Sequence, residues 1–315
     1  MELNDICVIG GSGFVGRHIV HLLAARGLRV TVPARDRERV KDLILLPTVD
    51  VVYADVHDPV ALAGLVKGSG AVINLVGVLH DGRGNASFEQ AHVELTRKII
   101  AACEAEGVMR YLHMSALGAD VNGPSRYQQS KGRAEALVRA SKLEWTIFCP
   151  SVIFGPDDSF LRVFAKLLAL TPVMFLAKPD ARFQPVYVED VAMAFLHSFY
   201  DRRNIGKSFN LCGPQVYTLR ELVALTGRLS GHPRPIIGLG DALSYLQALV
   251  LELLPGKLMS RDNIASMKVD NVSAAPFPFG IRPAAIEGVA RSWFGDATPR
   301  GRYINYRGHA GRPPQ

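Results

Sequence analysis

Tyr127 and Lys131 stand four residues apart in Tyr127-Gln128-Gln129-Ser130-Lys131, within a stretch of helical patterning over 125–141. On a helix that spacing puts both side chains on one face, one turn apart. An ammonium beside a phenol lowers the phenol's pKa, and the phenol then passes a proton to or from a carbinol oxygen while a hydride moves. Tyr and Lys are common helix residues, so the pair needs a cofactor beside it to mean this. Gly10-Gly11-Ser12-Gly13-Phe14-Val15-Gly16 answers that need. It follows the apolar run Ile6-Cys7-Val8-Ile9 and opens a segment in which Val15, Ile19, Leu22 and Leu23 recur at helical spacing. Strand, glycine turn and helix in that order form a phosphate-binding device. The turn takes positive φ and lets a pyrophosphate approach, and the helix turns its free N–H groups and positive dipole end toward it.

Further along come residues that would select among dinucleotides. The second apolar run ends Val32-Pro33-Ala34-Arg35, with Arg37 and Arg39 behind it and no acidic residue before Asp36. A carboxylate there would hold the ribose 2′-hydroxyl of NAD(H), whereas a guanidinium suits the additional 2′-phosphate of NADP(H). NADP(H) is therefore the expected cofactor; otherwise Arg35 is an exposed loop charge. Asp55-Val56 follows the third run, where adenine would lie, and Asp55 either accepts from the adenine amino group or caps a helix beginning near Pro59. Gly77 follows the fourth run and would let the backbone pass close to the cofactor, or serves a turn.

The elements that must position these residues alternate. Strand-like runs cover 6–9, 29–32, 49–53, 71–75, 110–114 and 145–149, with helical patterns near 13–26, 59–66, 88–106 and 125–141. Six strands separated by helices predict an α/β fold, a doubly wound parallel (Rossmann) sheet covered on both faces. After Pro150 the pattern turns irregular, and a smaller mixed C-terminal substrate lobe is expected. The predicted division is a dinucleotide-binding domain over 1–155 with a return near 183–200, a substrate or partner lobe over 156–295, and a flexible basic tail over 296–315. A substrate cleft between the lobes would follow from ligand binding at the carboxyl ends of such strands.

Composition narrows the classes. The chain has 315 residues, 48% hydrophobic and 21% charged, as in a soluble globular protein. The net charge of +7 is modest and partly concentrated in the tail, which argues against nucleic-acid binding. Four cysteines (Cys7, Cys103, Cys149, Cys212) without paired spacing suggest a reducing compartment, and nine histidines show no ligand spacing, so no metal is expected. The first strand begins almost at the N-terminus, leaving no room for a targeting peptide, and no apolar run is long enough to span a bilayer. The longest, 242–254, reads either as a buried helix or as an amphipathic surface for a membrane or partner, given Lys257, Arg261 and Lys268 beyond it.

On these residues the chain resembles the short-chain dehydrogenase/reductase superfamily, in its extended and atypical branches. Gly10, Gly13 and Gly16 match the family's cofactor loop, and Tyr127 and Lys131 its Tyr-x-x-x-Lys pair. Cys149-Pro150-Ser151-Val152-Ile153-Phe154-Gly155-Pro156 matches the stretch running past the nicotinamide, which brings Pro150 to the cofactor. Phe183–Ala192 and Phe209-Asn210-Leu211 resemble late motifs of the extended branch. More narrowly, 127–135, 150–164 and 185–192 resemble bacterial relatives of the nucleotide-binding accessory subunit of respiratory complex I. That resemblance implies tightly held NADPH without established turnover, and a neighbouring branch is linked to ubiquinone biosynthesis. The superfamily places a catalytic Ser or Thr beyond the fifth strand. Here Ser115 in His113-Met114-Ser115-Ala116-Leu117-Gly118 is the nearest hydroxyl, though the register sets that position nearer Leu117, so Ser115 is either catalytic or a buried structural hydroxyl. Cys149 replaces an arginine common in relatives and removes a phosphate clamp or ion pair. A short 117–127 segment disfavours a sugar-nucleotide substrate.

Three functions follow. One is a nucleotide-holding protein acting through a membrane-associated respiratory complex or quinone enzyme, cytoplasmic and peripheral at the inner face of the membrane. The alternative is an active NADP-dependent oxidoreductase on an apolar carbonyl or alcohol, with a sugar-nucleotide epimerase third.

Overall fold

The inner apolar runs of the first half become parallel strands because both of their faces are buried, leaving no polar side to face water, while Val49–Tyr53 lies at the sheet edge and is largely exposed. A computed structural model describes residues 4–253 and 259–294; the basic tail expected over 296–315 lies outside the described residues. The chain runs β1 (Asp5–Ile9), α1 (Phe14–Ala25), β2 (Arg29–Ala34), β3 (Val49–Tyr53), α2 (Pro59–Val66), β4 (Ala71–Asn74), α3 (Leu95–Glu106), β5 (Arg110–Met114), α4 (Arg126–Ala140) and β6 (Glu144–Pro150). It continues through β7 (Ile153–Phe154), α5 (Phe160–Leu170), β8 (Met174–Ala177), β9 (Arg182–Phe183), β10 (Val186–Tyr187), α6 (Val188–Tyr200), β11 (Lys207–Leu211), β12 (Tyr217–Thr218), α7 (Leu219–Leu229), β13 (Ile236–Leu239), α8 (Asp241–Leu253) and α9 (Arg261–Ser266). Two compact units result: Met1–Ser151 with Val188–Leu211 and Ser273–Arg282, and Val152–Tyr187 with Cys212–Val272 and Pro283–Gln315.

The first unit is a seven-stranded parallel sheet in the order β11-β6-β5-β4-β1-β2-β3. Strand order reverses between β1 and β4, the switch point at which such sheets open a crevice beyond the strand ends. Register lines up the ends there, with Ile9 opposite Asn74, Asn74 opposite His113 and His113 opposite Ile147. The sequence suggested six strands. The seventh, β11, pairs with β6 from Lys207↔Thr146 to Leu211↔Pro150, and its alternating Lys207-Ser208-Phe209-Asn210 hides it because an edge strand is apolar on one face only.

Each face carries its own core. On one, Cys7, Ile9, Val72, Tyr111 and Ile147 pack with Leu62, Leu95, Ile99 and Val138 from the covering helices. On the other, Phe148 meets Phe195 of α6 with ring centroids 4.2 Å apart, and His18 Nδ1 of α1 lies 2.6 Å from Glu189 Oε1 of α6. Burying one such large apolar side chain is worth roughly 1.5–3 kcal/mol. The helical pattern expected over 88–106 opens with a π-helical stretch, Glu89–Glu94, before α3.

The second unit is organised around Phe154, Leu161, Phe164, Leu168, Leu219, Leu222 and Val223. Its short strands pair as β10 with β7, β12 with β9 and β13 with β8. Among the described residues no helix is long and apolar enough to cross a membrane.

Candidate functional site

The glycine turn is built so tightly that side chains are excluded from it. Gly10 has φ +88°, a region L-residues rarely enter, and a Cβ there would lie 3.2 Å from the Leu75 carbonyl carbon and the Val76 nitrogen. A Cβ on Gly16 would stand 2.3 Å from Gly10 O and 2.6 Å from Gly11 Cα, so α1 can start directly against the turn with glycine alone. Gly13 caps α1 in extended conformation with no side-chain hydrogen bond, and no acidic residue sits in the first turn. The positive end of α1 and its free N–H groups are thus left for an outside anion. Ser12 and Phe14 flank Gly13 half-buried, while Val15 is buried into the core. A cradle that a Cβ would fill, open at a helix N-terminus, fits a dinucleotide pyrophosphate.

Around it the neighbouring strand ends differ in how their charges are engaged. Asp36 Oδ1 accepts the Glu38 N–H at 2.9 Å, and its Oδ2 lies 3.7 Å from Arg39 Nε. Arg37 stacks over the Tyr53 ring at 5.0 Å. Arg35 is exposed, and no carboxylate pairs with it among the described residues. Beyond β3, Asp55 Oδ1 accepts the His57 N–H at 3.0 Å. The cap of α2 is Asp58, whose Oδ1 accepts the Val60 N–H at 3.0 Å; the capping role considered for Asp55 therefore belongs to Asp58. Val56 packs against the core, and Lys98 Nζ donates to His57 O at 2.7 Å, tying α3 to this loop. Burial pulls the His57 pKa down, with Asp55 opposing and Lys98 and Arg35 assisting.

The end of β4 is locked by side chains that no spacing or motif singles out. Asn74 Oδ1 accepts the Val76 N–H at 3.1 Å, while its Nδ2 donates to Tyr111 Oη at 3.1 Å and Thr96 Oγ1 at 3.3 Å. The Val78 N–H donates to His92 Nε2 at 3.0 Å, which leaves the ring proton on Nδ1, 2.8 Å from Ser130 Oγ. Ser130 Oγ in turn donates to Tyr127 O at 2.8 Å. His92 thus fastens the loop holding Gly77 to the helix holding Tyr127. Its pKa falls to about 2, first through burial and then through the nearby Lys131 and His113 charges. A lone His within an apolar helix carries no signal of such a role, since it is more often an ordinary core residue.

On α4, Ser125 caps the helix by accepting the Gln128 N–H at 3.1 Å. Lys131 is 3% exposed, and its Nζ donates to Met114 O at 3.1 Å. A Cβ on Gly77 would approach that Nζ to 3.1 Å, so the exposed Gly77 backbone and the ammonium share one small space. Burial lowers the Lys131 pKa to about 8, against the pull of Glu135 and Cys149. One turn further, Glu135 Oε2 receives Arg139 at 2.8 Å, and Cys149 donates to Glu135 Oε1 at 3.4 Å. Gly132 lets the 115–124 loop cross α4, since a Cβ there would meet the Asp120 carbonyl carbon at 2.4 Å. Tyr127 packs edge-on to His92 (5.6 Å between centroids) and to Phe88 (5.8 Å). Burial pushes its phenol up to about 12. The expected lowering by Lys131 does not govern here, because desolvation dominates.

Ser115 continues the line of β5, its N–H donating to Phe148 O at 2.7 Å, and Leu117 N–H donates to Pro150 O at 2.8 Å. These bonds place Pro150 beside the loop. Ser115 is 3% exposed and its Oγ has no partner, and neither has His113 Nε2 two residues back. His113 has a pKa near 3, lowered by burial and then by Lys131. Two orphaned buried polar atoms thus lie two residues apart at the end of β5, beside a buried ammonium, left unsatisfied by the protein's own groups.

The chain matches a family model described as NAD(P)H-binding over residues 10–163. It is 35% identical over 227 residues to subunit 9 of the NADH dehydrogenase [ubiquinone] 1 alpha subcomplex of Arabidopsis thaliana mitochondria, covering 69% of this chain and 56% of that protein. The match thus spans little more than half of that relative's length. It is 31% identical over 287 residues to the mitochondrial NADH-ubiquinone oxidoreductase 40 kDa subunit of Neurospora crassa, covering 89% of this chain and 76% of the other. A ceramide reductase of Caulobacter vibrioides is 32% identical over 187 residues, 59% of this chain and 58% of that one. In fold, the chain is similar to a nucleoside-diphosphate-sugar epimerase of Staphylococcus aureus, with TM-score 0.72, 16% identity, and 91% and 99% of the two chains covered.

Proposed function

Because this chain belongs to the NAD(P)H-binding short-chain dehydrogenase/reductase family that includes the 40 kDa and subunit 9 proteins of NADH-ubiquinone oxidoreductase, we propose that it holds NADP(H) firmly and serves a membrane respiratory or quinone-handling complex. The observation that carries the NADP(H) choice is Arg35. It is the guanidinium at the end of β2 left exposed and without a carboxylate, while Asp36 is engaged by Arg39 and the Glu38 N–H. Gly10, Ser12, Gly13, Phe14, Val15 and Gly16 would hold the pyrophosphate, Asp55 and Val56 the adenine, and Gly77, Lys131 and Pro150 the nicotinamide end. When bound, the cofactor supplies a hydride. Tyr127 is poorly set to move a proton with it, since the phenol is raised to about 12 and caged by His92 and Phe88. This supports a holding role, with the protein cytoplasmic and peripheral at the membrane.

A second reading, a reductase of apolar carbonyls, is favoured by the orphaned Ser115 Oγ and by similarity to a ceramide reductase. In that case Ser115 would donate to the carbonyl oxygen and Tyr127 would deliver the proton. Mass spectrometry of nucleotide released from native protein separates the readings. Retained NADPH that no carbonyl compound oxidises, in protein that co-migrates with a respiratory complex, is the expected result. Protein purified without nucleotide and never found with membranes or respiratory complexes would overturn the proposal. NADPH-dependent turnover abolished by Tyr127→Phe would establish the second reading instead.

A further inference from the structure

Lys131 and Glu135 stand one turn apart on the same face of α4, and both are buried, at 3% and 8% exposure. The strands beneath bring their head groups together. Lys131 Nζ donates to Met114 O at the end of β5, and Cys149 Sγ of β6 donates to Glu135 Oε1 at 3.4 Å. Met114 is paired with Phe148, the residue before Cys149, so the two partners lie on neighbouring strand ends. Glu135 Oε2 also receives Arg139 at 2.8 Å. The Arg139 side chain is 46% exposed and rests over the Trp145 ring at 5.5 Å, so water takes up much of its field. The thiol does not neutralise the carboxylate either. Burial raises Cys149 well above the ordinary thiol range, and Glu135 raises it further.

A buried ammonium keeps its charge only where other charges and hydrogen bonds replace the water it has lost. Burial pulls Lys131 down to about 8, and Glu135 is the foremost group opposing that, with Cys149 behind it. The other titratable groups around the ammonium bring it no negative charge. His92, from the π-helical stretch, and His113, on β5, are lowered to about 2 and about 3, by burial first and by Lys131 next. Tyr127, one turn before Lys131 on α4, is raised to about 12 by burial. Both imidazoles and the phenol are therefore neutral near pH 7, which leaves Glu135 as the one anion of this group. On its other side Lys131 Nζ faces the strand-end loop, where a Cβ on Gly77 would approach it to 3.1 Å.

We propose that Glu135 is a positioning residue of the nucleotide site, its carboxylate being the buried counter-ion that holds the Lys131 ammonium at the Gly77 loop. The inference rests on the place at the nicotinamide end proposed above for Lys131. It is tested on the full chain carrying lysine labelled with carbon-13 at Cε. The Lys131 resonance, identified by its loss in Lys131→Met, reports that lysine's own titration with nucleotide removed. Its midpoint should lie near 8 in the wild type and about one pH unit lower in Glu135→Gln. Arg139→Gln, which strips the carboxylate of its other cation, should not lower it. NADPH affinity should be about threefold weaker in Glu135→Gln than in the wild type at pH 7.5, and equal at pH 6, where Lys131 is charged in both. A carboxylate with a merely structural role would leave the lysine midpoint in place and weaken binding alike at both pH values, and that result would overturn the proposal. So would a midpoint lowered as far by Arg139→Gln. If Glu135→Gln does not fold, Glu135→Asp, which keeps the charge but draws it back by one methylene, should lower the midpoint by a smaller step; an unmoved midpoint there overturns the proposal too. A midpoint that falls as expected in protein binding no NADPH at any pH upholds Glu135 as the counter-ion of Lys131 and overturns the nucleotide reading instead.

Discussion

The glycine turn after β1 and the Tyr127 face of α4 lie in the same unit but are made of different material. The turn is backbone: its conformation is held by Gly10 at φ +88° and by Gly16, where a Cβ would strike Gly10 O at 2.3 Å, and the helix end it presents has no side-chain cap. The α4 face is side chain, with Lys131 bonded to Met114 O, His92 to Ser130 and Val78, and Cys149 to Glu135. One region spends its polar groups outward and is ready for an anion. The other spends most of them inward and is shifted far from ordinary titration. Binding is therefore prepared in the fold, while proton transfer would need the buried network to give way.

Acid should act on the second region first and by the largest amount. His92 and His113 titrate near 2 and 3 in the fold, against about 6.5 when unfolded. Because the folded values are the lower ones, only the unfolded chain takes up protons as pH drops below about 6.5, so stability present above that pH is lost on the way down. From pH 7 to 5 the two residues together should cost about 4 kcal/mol. Urea titrations at both pH values measure this, and His92→Gln/His113→Asn should flatten the dependence. A drop no smaller in that variant would place the acid sensitivity elsewhere.

Next in size is an assault on the backbone cradle. Gly16→Ala forces a methyl into the turn, and since the neighbours are backbone they cannot swing aside. Overpacking of this kind costs about 3 kcal/mol, and nucleotide retention should be lost with it. Unchanged thermal stability and nucleotide content would show that the turn is softer than its geometry.

This contrast also explains what the sequence could reveal. A glycine turn is legible because the constraint lies in residue type: Gly10, Gly13 and Gly16 are spaced by the turn itself. Tyr127 and Lys131 are legible because helical spacing fixes their shared face. The network behind them is not, since Asn74, His92, Tyr111, His113 and Ser130 come from distant segments and meet only after β4, β5 and α4 are assembled. The same holds for β11, whose half-polar pattern is that of an edge strand, and for the cap at Asp58 in place of Asp55. On α8 the apolar spacing was legible but its direction was not, because the small residues Ser244 and Ala248 took the inward side.

Lys131 sharpens the comparison by separating stability from binding. Its folded pKa of about 8 lies below that of a free lysine near 10.5, so the ammonium is disfavoured by its burial, and the penalty is present below pH 8 and relieved as pH rises toward 10.5. Lys131→Met keeps the aliphatic stem and removes the charge, at the expense of the Met114 bond and the charge facing Glu135. The net effect should be about 2 kcal/mol of added stability at pH 7, with nucleotide retention weakened. Calorimetry beside nucleotide analysis checks both. A variant that loses stability would show that Glu135 depends on Lys131 more than on Arg139 and Cys149.

Arg35 gives the smallest effect and the most specific one. It is exposed and unpaired, so its removal leaves no buried partner stranded, and stability should change by no more than about 0.5 kcal/mol. A charge-assisted hydrogen bond from a guanidinium to a phosphate is worth about 1.5–3 kcal/mol. Arg35→Ala should therefore weaken NADPH binding about 10–100-fold by titration while leaving NADH binding within a factor of about two. Arg37, stacked on Tyr53, and Arg39, paired with Asp36, serve as internal controls. If Arg35→Ala weakens both nucleotides alike, the residue acts on the shared pyrophosphate, and the backbone cradle is not the sole anion site of the first unit. If neither changes, the 2′-phosphate is not read at the end of β2, and the preference for NADP(H) falls.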